Sequence, residues 1–179
     1  MLGQTVWAPT TLYSFCSLPN CTDGSNPVAG LIFDEQCALY GTTTSGGGGH
    51  GTVFKLTPPA EGQTVRTETA LYNPLGNATA GLIFDKQGAL YGTTVEGGSS
   101  GNGTVFKLIP PKGRSGWKET VLHSFSGSPN DGNFPAAGLI ADAKGALYGT
   151  TQYGGSGDCS IGGFNGCGTV FKLRRHGTE

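Results

Sequence analysis

One phrase occurs three times in the chain and constrains its fold more than any other feature. The copies are AGLIFDEQCALYGTT at 29–43, AGLIFDKQGALYGTT at 80–94 and AGLIADAKGALYGTT at 137–151. A Gly-rich stretch and then GTVFKL follow each copy, at 51–56, 103–108 and 168–173. A further element precedes each copy: TTLYSF at 10–15, ETALYN at 68–73 and ETVLHSF at 119–125. Three copies in the same phase identify a repeat protein.

Each unit is predicted to contain four β-strands. GLIFD is a short apolar run that ends in Asp, and a tight turn then reverses the chain into ALYGTT. That turn contains Gly88 and Gly145 in two copies, where Gly supplies positive φ, and Cys37 in the first. ALYGTT and GTVFKL alternate as half-buried strands do. We call GLIFD strand A, ALYGTT strand B, GTVFKL strand C and the element that precedes GLIFD strand D, so the order in each unit is D-A-B-C.

The high Gly and Pro content is explained by the repeat. The chain has 33 Gly and 10 Pro among 179 residues, which without a period would suggest disorder. Most of the Gly residues recur at fixed positions in the units, so they are the turn content of a β-protein. Helices are nearly excluded, because Gly and Pro interrupt every window that could form an apolar helical stripe.

The pattern AGLIFD..GALYGTT..GG...GTVFKL, with LYSF..DG..P before it, resembles the GloVer tandem repeat of long bacterial surface and secreted proteins. It is also similar to NHL-type blades, which have a comparable strand, Asp-x-x-Gly turn and strand. The resemblance covers roughly residues 7 to 173 and implies an all-β fold of three four-stranded β-propeller blades, twelve strands in all. The chain is then one repeat domain, 1–179, with units 7–56, 57–108 and 109–173 and a tail, 174–179. The family has no catalytic residues to transfer, so no cofactor is predicted.

Three units are too few to close a propeller, which usually needs about four to eight blades. The D strand at the N-terminus and the C strand at the C-terminus lack partners, and open edges invite strand addition from another chain. We therefore predict strand exchange between copies, into a closed 3+3 ring or a head-to-tail filament. A β-trefoil or a β-prism, which also use three repeats, and a fragment of a longer array are the alternatives.

Charge and hydropathy exclude several classes of partner. The net charge is −1 and the pI is about 6.3, so electrostatics do not favour nucleic acid. No apolar run approaches the roughly 20 residues of a membrane span. The start, MLGQTVWAPT, shows no basic region followed by an apolar one, so no signal peptide is visible.

Five cysteines in a chain with one Met indicate an oxidising compartment, hence an extracellular or cell-surface location. Two disulfides within loops are predicted, Cys16 with Cys21 and Cys159 with Cys167. The alternatives are free thiols, which act as small apolar residues, and a zinc site, which the spacings disfavour. Cys37 is left over as a free thiol, an intermolecular link or a neutral substitution.

Three Asn residues lie in N-x-S/T sequons within predicted loops. Asn20, Asn77 and Asn102 are therefore candidate glycosylation acceptors, and the protein is a candidate glycoprotein.

Three polar positions recur in every unit and could form a ligand site or stabilise the fold that the units share. The lysines in strand C could line a central channel and bind an anion. More often, recurrent Lys and Asp residues form ion pairs between blades or lie on a solvated face. Tyrosines in strand B could stack on sugars, but packing between blades is more frequent. The residues are Lys55, Lys107 and Lys172, Asp34, Asp85 and Asp142, and Tyr40, Tyr91 and Tyr148.

Other motifs give little support for metal, nucleotide or catalytic chemistry. The runs at 23–26 and 131–133 resemble calcium loops faintly, but turn chemistry explains them. The Gly-rich run at 45–49 lacks the Lys-Ser/Thr of a phosphate-binding loop. Three His residues sit at unrelated repeat positions. The residues in question are Asp23, Asp131, His50, His123, His176 and Asp158, of which His50 and Asp158 are mild catalytic candidates.

These features predict a non-enzymatic extracellular structural or surface module that self-associates through edge strands. The alternative is a lectin-like propeller, in which aromatic and amide side chains of the variable loops bind glycans. A third hypothesis is an enzyme with its site in the insertion at 152–167. The candidate glycan-binding residues are Trp117, Tyr153, Phe164 and Asn165.

Overall fold

A computed structural model describes residues 6–73 and 76–174, and the described fold is all-β, as predicted. Sheet I contains β1 (Ile32–Phe33), β2 (Leu39–Thr42), β3 (Val53–Thr57) and β4 (Thr67–Tyr72). Sheet II contains β5 (Ile83–Phe84), β6 (Leu90–Thr94), β7 (Thr104–Ile109) and β8 (Lys118–Ser124). Both are antiparallel and their strands pair in chain order. In the described chain the one helical segment is a 3₁₀ turn, Pro19–Cys21.

The third repeat forms a three-stranded sheet and two short ribbons. Its strands are β9 (Gly132–Asn133), β10 (Ile140–Ala141), β11 (Leu147–Thr151), β12 (Tyr153–Gly154), β13 (Ser160–Ile161), β14 (Phe164–Asn165) and β15 (Thr169–Leu173). Sheet III has the antiparallel order β10-β11-β15. β9 pairs with β12 and β13 with β14 in the long loops of this repeat. All described sheets are open, so no barrel of the kind a β-trefoil needs is present among them.

Each D element joins the sheet before it in the chain. β4 pairs with β3 and β8 pairs with β7, so a complete sheet takes A, B and C from one repeat and D from the next. The predicted strand at 10–15 is wrong for the described structure: these residues form no strand, and no described sheet pairs with them. Three complete four-stranded sheets are not formed either, because no described residue forms a D element that pairs with β15.

Strand alternation gives every sheet two different apolar faces. The side of sheet I that we call the tyrosine face contains Ile32, Tyr40, Thr42 and Val53, and the phenylalanine face contains Phe33, Leu39, Phe54 and Leu56. The same positions define the two faces in sheets II and III.

The core lies between successive sheets. The tyrosine face of sheet I packs on the phenylalanine face of sheet II in one cluster, and sheet II packs on sheet III in the same way in a second. Polar contacts repeat as well: the Thr42 hydroxyl donates to the carbonyl of Ala80 at 3.1 Å, and Thr93 donates to Ala137 at 3.4 Å. The two junctions are thus built from equivalent residues.

The predicted turn between strands A and B is present in all three repeats. Asp34 Oδ1 accepts hydrogen bonds from the backbone amides of Gln36 and Ala38, both at 2.9 Å. Cys37 has a φ of 60°, close to the values of 78° for Gly88 and 80° for Gly145 at the equivalent position. The first repeat therefore places a side chain where the backbone is left-handed.

Cys37→Gly is expected to raise the free energy of unfolding by about 0.5–1 kcal/mol, because a left-handed non-Gly residue costs more than Gly loses in chain entropy. Urea unfolding with a reductant present measures the change. Gly88→Ala is the matched reverse change: no atom lies within 4 Å of its Cβ position, so only φ opposes the methyl group. Equal or lower stability of Cys37→Gly would contradict this.

Candidate interaction surface at the sheet ends

The N-terminal segment lies on the phenylalanine face of sheet I, where Tyr13 and Phe15 pack against buried residues. The ring centroids of Phe15 and Phe54 are 4.8 Å apart. A matching contact joins the residue after β8 to sheet III, because the centroids of Phe125 and Phe171 are 5.1 Å apart. Phe15 therefore contacts sheet I as Phe125 contacts sheet III.

The sequence of this segment corresponds to an outer strand. Residues 7–15, WAPTTLYSF, align without a gap with residues 117–125, WKETVLHSF, which contain β8. Since β8 is the outer strand of sheet II, residues 7–15 correspond to the outer strand of a sheet that would precede sheet I. The edge of β15 opposite β11 has no partner among the described strands, whereas β3 and β7 are paired on both sides.

A buried carboxylate holds the N-terminal segment in place. Asp23 accepts hydrogen bonds from the Tyr13 hydroxyl at 2.8 Å and from the Ser17 amide and hydroxyl, both at 2.9 Å. Burial alone would raise the pKa of Asp23, but these hydrogen bonds outweigh burial and lower it to about 2. Burial, and then the Asp23 charge, raise the pKa of nearby Glu68 to about 7.

The phenylalanine face of sheet I is only partly covered by this segment. Leu31 is 50% exposed, whereas its equivalent Leu82 is 2% exposed at the junction of sheets I and II. A Cβ atom on Gly81 would lie 3.6 Å from the Gly30 carbonyl oxygen, but nothing lies within 4 Å of the Cβ position of Gly30. Within residues 6–73 and 76–174, no sheet therefore covers this face as sheets I and II cover the same face of sheets II and III.

The tyrosine face of sheet III is open at the other end of the chain. Val170 is 82% exposed, whereas Val53 and Val105, its equivalents, are 0% exposed. Ile140 is exposed, and so is Thr150, whose equivalents donate hydrogen bonds to the following sheet. The two ends of the chain thus carry the two complementary halves of the junction found twice inside it.

The recurrent Asp, Tyr and Lys residues form the same network in each sheet. In sheet II, Asp85 Oδ2 accepts hydrogen bonds from the Tyr91 hydroxyl and from Lys107 Nζ, both at 3.0 Å. Burial would raise the pKa of Asp85, but these bonds and those from backbone amides lower it. The ion pairs join a turn to strand C of its own sheet and do not link two sheets, contrary to the predicted blade-to-blade pairs.

Tyr40 is buried and meets Phe84 of the next sheet edge-on, with centroids 5.1 Å apart. The predicted role of the recurrent tyrosines in packing between sheets is confirmed for Tyr40 and for Tyr91, which packs on the second cluster.

A family comparison identifies the repeat itself. The model of the Gloeobacter/Verrucomicrobia repeat matches residues 4–161. The chain belongs to this repeat family. No curated protein and no solved structure matches it.

The loops of this Gloeobacter/Verrucomicrobia repeat chain contain both predicted disulfides, Cys16–Cys21 and Cys159–Cys167, and Cys37 is free and exposed. No helix in the described part of the chain is long and apolar enough to cross a membrane.

The aromatic residues predicted to bind glycans do not form one group. Tyr153 and Phe164 stack on each other with centroids 4.5 Å apart, and Phe134 packs beside them. Asn165 is exposed in β14 next to this stack. Trp117 instead packs against the cluster between sheets I and II. Glycan binding therefore stays a prediction that concerns the third-repeat loops alone.

The remaining candidates are separate from one another. His123 Nε2 lies 2.8 Å from Asp131 Oδ2 at the end of β8. Burial would raise the pKa of Asp131, but backbone and His123 hydrogen bonds lower it. His50 and Asp158 are exposed in different loops, and His176 lies outside the described residues.

The calcium-like loops and the sequons have ordinary loop environments. The carboxylates of Asp23 and Asp131 accept hydrogen bonds from the residues around them, as predicted for turns. Asn20 is exposed, whereas Asn77 and Asn102 are half-buried. Glycosylation of the three sequons stays a prediction.

The roles of the two tryptophans are not predicted from the sequence, which places Trp117 among the candidate glycan-binding residues and Trp7 in no site. Both lie eight residues before a Phe that packs on a sheet, Phe15 on sheet I and Phe125 on sheet III. This shared spacing is the signal that identifies both as parts of a D element.

Proposed function

We propose that the chain is a non-enzymatic structural module that associates head to tail with other copies of itself. The tyrosine face of sheet III of one copy packs on the phenylalanine face of sheet I of the next. Residues 8–15 of the second copy add to β15 as the missing outer strand of sheet III.

The exposure of Val170 is the observation that carries this proposal. At both internal junctions the equivalent valine is fully buried against the following sheet. Val53 belongs to the same cluster as Leu82, so Val170 is expected to meet Leu31, which is also exposed. The contact between copies would therefore use the same residue positions as the two junctions within the chain.

The free edge of β15 supports the same arrangement. By equivalence with the pairing of β7 and β8, Val170 would pair with Tyr13, and Phe171 with Thr11. The side chains of Tyr13 and Phe15 already pack on sheet I of their own chain, so the segment is anchored next to the face that would contact the other copy. An unpaired strand edge favours this kind of addition.

Whether the assembly closes depends on the rotation between successive sheets. Each four-stranded antiparallel sheet has the form of a propeller blade, and two chains would supply six blades, within the usual range of about four to eight. If the rotation does not close at six, the same contact continues as a filament.

The proposed location is the extracellular space or the cell surface. Two disulfides support an oxidising compartment. The recurrent Asp, Tyr and Lys side chains stabilise each sheet, which favours a structural role over a catalytic one.

Native mass spectrometry over a range of concentrations tests the proposal. The wild-type chain is expected to form multiples of its 18.3 kDa mass at micromolar concentration. Val170→Glu is expected to weaken association about a hundredfold, because an unpaired charge would be buried at the contact. Its monomer should unfold at nearly the wild-type temperature, because residue 170 is exposed in the single chain.

Val121→Glu is the matched control. Val121 is also exposed on a strand, but it lies in β8 and away from both end faces, so association should be unchanged. A wild-type chain that stays a monodisperse monomer would overturn the proposal.

A further inference from the structure

Trp117 occupies a defined site between sheets I and II. It stands directly before β8 and packs against the apolar cluster that contains Tyr40, Leu90 and Leu108. Leu71 and Tyr72 at the end of β4 pack on the same cluster. The indole thus packs on the core between sheets I and II, and the Tyr72 hydroxyl of β4 donates to Glu119 of β8 at 2.9 Å.

The equivalent site between sheets II and III is an open pocket of about 630 Å³. Its apolar wall repeats the Trp117 site position by position, with Tyr91, Leu147 and Leu173 for Tyr40, Leu90 and Leu108, and Leu122 and His123 for Leu71 and Tyr72. Among the described strands, none pairs with the outer edge of β15 and so brings a tryptophan to this place.

We infer that this pocket receives Trp7 from a second copy of the chain, an inference that rests on the proposed head-to-tail association. Trp7 is the equivalent of Trp117 in the alignment of residues 7–15 with 117–125. The segment that carries Trp7 lies on sheet I of its own chain, at the opposite end from the pocket. A neighbouring copy is therefore the source of the indole.

The exposures agree with an indole that lacks its site in the single chain. Trp7 is 91% exposed. Tyr91 and Leu173 are half-buried, whereas Tyr40 and Leu108 are buried at the junction that contains Trp117. Pro9 falls within the added strand, which is compatible with an edge, where Pro occurs in sheets. Trp7 then anchors the strand, and the end faces align the two copies.

Fluorescence of the full chain with Trp117→Phe tests the inference, because Trp7 is then the sole tryptophan. Its emission is expected to shift to the blue as concentration rises, in step with the mass of the assembly. Trp7→Ala is expected to weaken association about thirtyfold, as the loss of a buried aromatic anchor does. Trp7→Phe should restore part of that loss.

A peptide experiment separates this inference from the proposed association. A labelled peptide of residues 6–15 is titrated into the Trp7→Ala chain, whose pocket cannot be filled by a neighbour. We expect binding that weakens at least tenfold when the peptide carries Ala in place of Trp7, and that is lost with Leu122→Arg in the pocket wall.

The outcomes distinguish the two ideas. If the wild-type chain is monomeric but the peptide binds through Trp7, the pocket assignment stands and the head-to-tail contact falls. If the chain assembles while Trp7 stays water-exposed and both peptides bind equally, the contact stands and the pocket assignment is wrong. A failure of Trp117→Phe to fold leaves the peptide experiment as the deciding measurement.

Discussion

Phe106→Ala is expected to lower the free energy of unfolding by about 3–5 kcal/mol, and Phe171→Ala by clearly less. The two residues hold the same repeat position, but Phe106 is fully buried between sheets I and II, whereas Phe171 is half-buried. A Cβ atom on Gly92 would lie 2.7 Å from the ring of Phe106, so the ring packs directly on a backbone that has no side chain to move into its place. Removal of the ring is therefore expected to leave a cavity between the two sheets.

This pair also tests whether sheet III is incomplete in the single chain. Urea unfolding is compared in the Val170→Glu background, at concentrations where the chain is monomeric. Phe54→Ala is a third member of the series, because Phe54 is covered by the N-terminal segment. Equal losses for Phe106→Ala and Phe171→Ala would show that sheet III is as well covered as sheet II.

Asp23→Ala is expected to lower the free energy of unfolding by about 2–3 kcal/mol at neutral pH, because it leaves the Tyr13 hydroxyl and the Ser17 amide without their acceptor. The segment that carries Trp7 should then detach from sheet I. Association of the copies should weaken with it. Asp158→Ala, at an exposed loop carboxylate, is the control and should leave both stability and association unchanged.

The pH dependence of this effect has a definite sign. The folded pKa of Asp23 is lowered, so its contribution is present above the unfolded pKa of about 4 and is lost as pH falls toward 2. The difference in stability between wild type and Asp23→Ala should therefore shrink between pH 4 and pH 2. The other carboxylates that titrate between pH 4 and pH 2 contribute equally to both proteins, so their contributions cancel in the difference. A difference independent of pH would show that folding does not lower the pKa of Asp23.

Local features were predictable from sequence because they depend on neighbouring residues. The turn at Asp34 needs only its own carboxylate and the amides that follow, and both disulfides close short loops. The alternation in GTVFKL likewise placed Phe54 and Val53 on opposite faces.

The partner of each D element was not specified by local pattern. ETALYN precedes strand A of its unit in sequence, yet β4 pairs with strand C of the unit before. The pairing of a D element depends on which sheet offers it a free edge in the folded chain. No described sheet pairs with residues 10–15, so they form no strand. The role of Trp117 is not predicted for the same reason, because the cluster that it packs on is formed by two sheets. The ribbon β13–β14 belongs to the long insertion of the third repeat. The ribbon β9–β12 instead corresponds to a single bridge between Ser25 and Ser45 in the first repeat.

The offset between repeat and sheet has a consequence for how such chains can change in length. Because the D element of every repeat completes the sheet of its predecessor, duplication or deletion of a whole repeat leaves the same two ends. A tyrosine face with a bare strand edge would still stand at one end, and a D element at the other. Copy number can therefore vary between descendants of one gene without any new contact having to evolve.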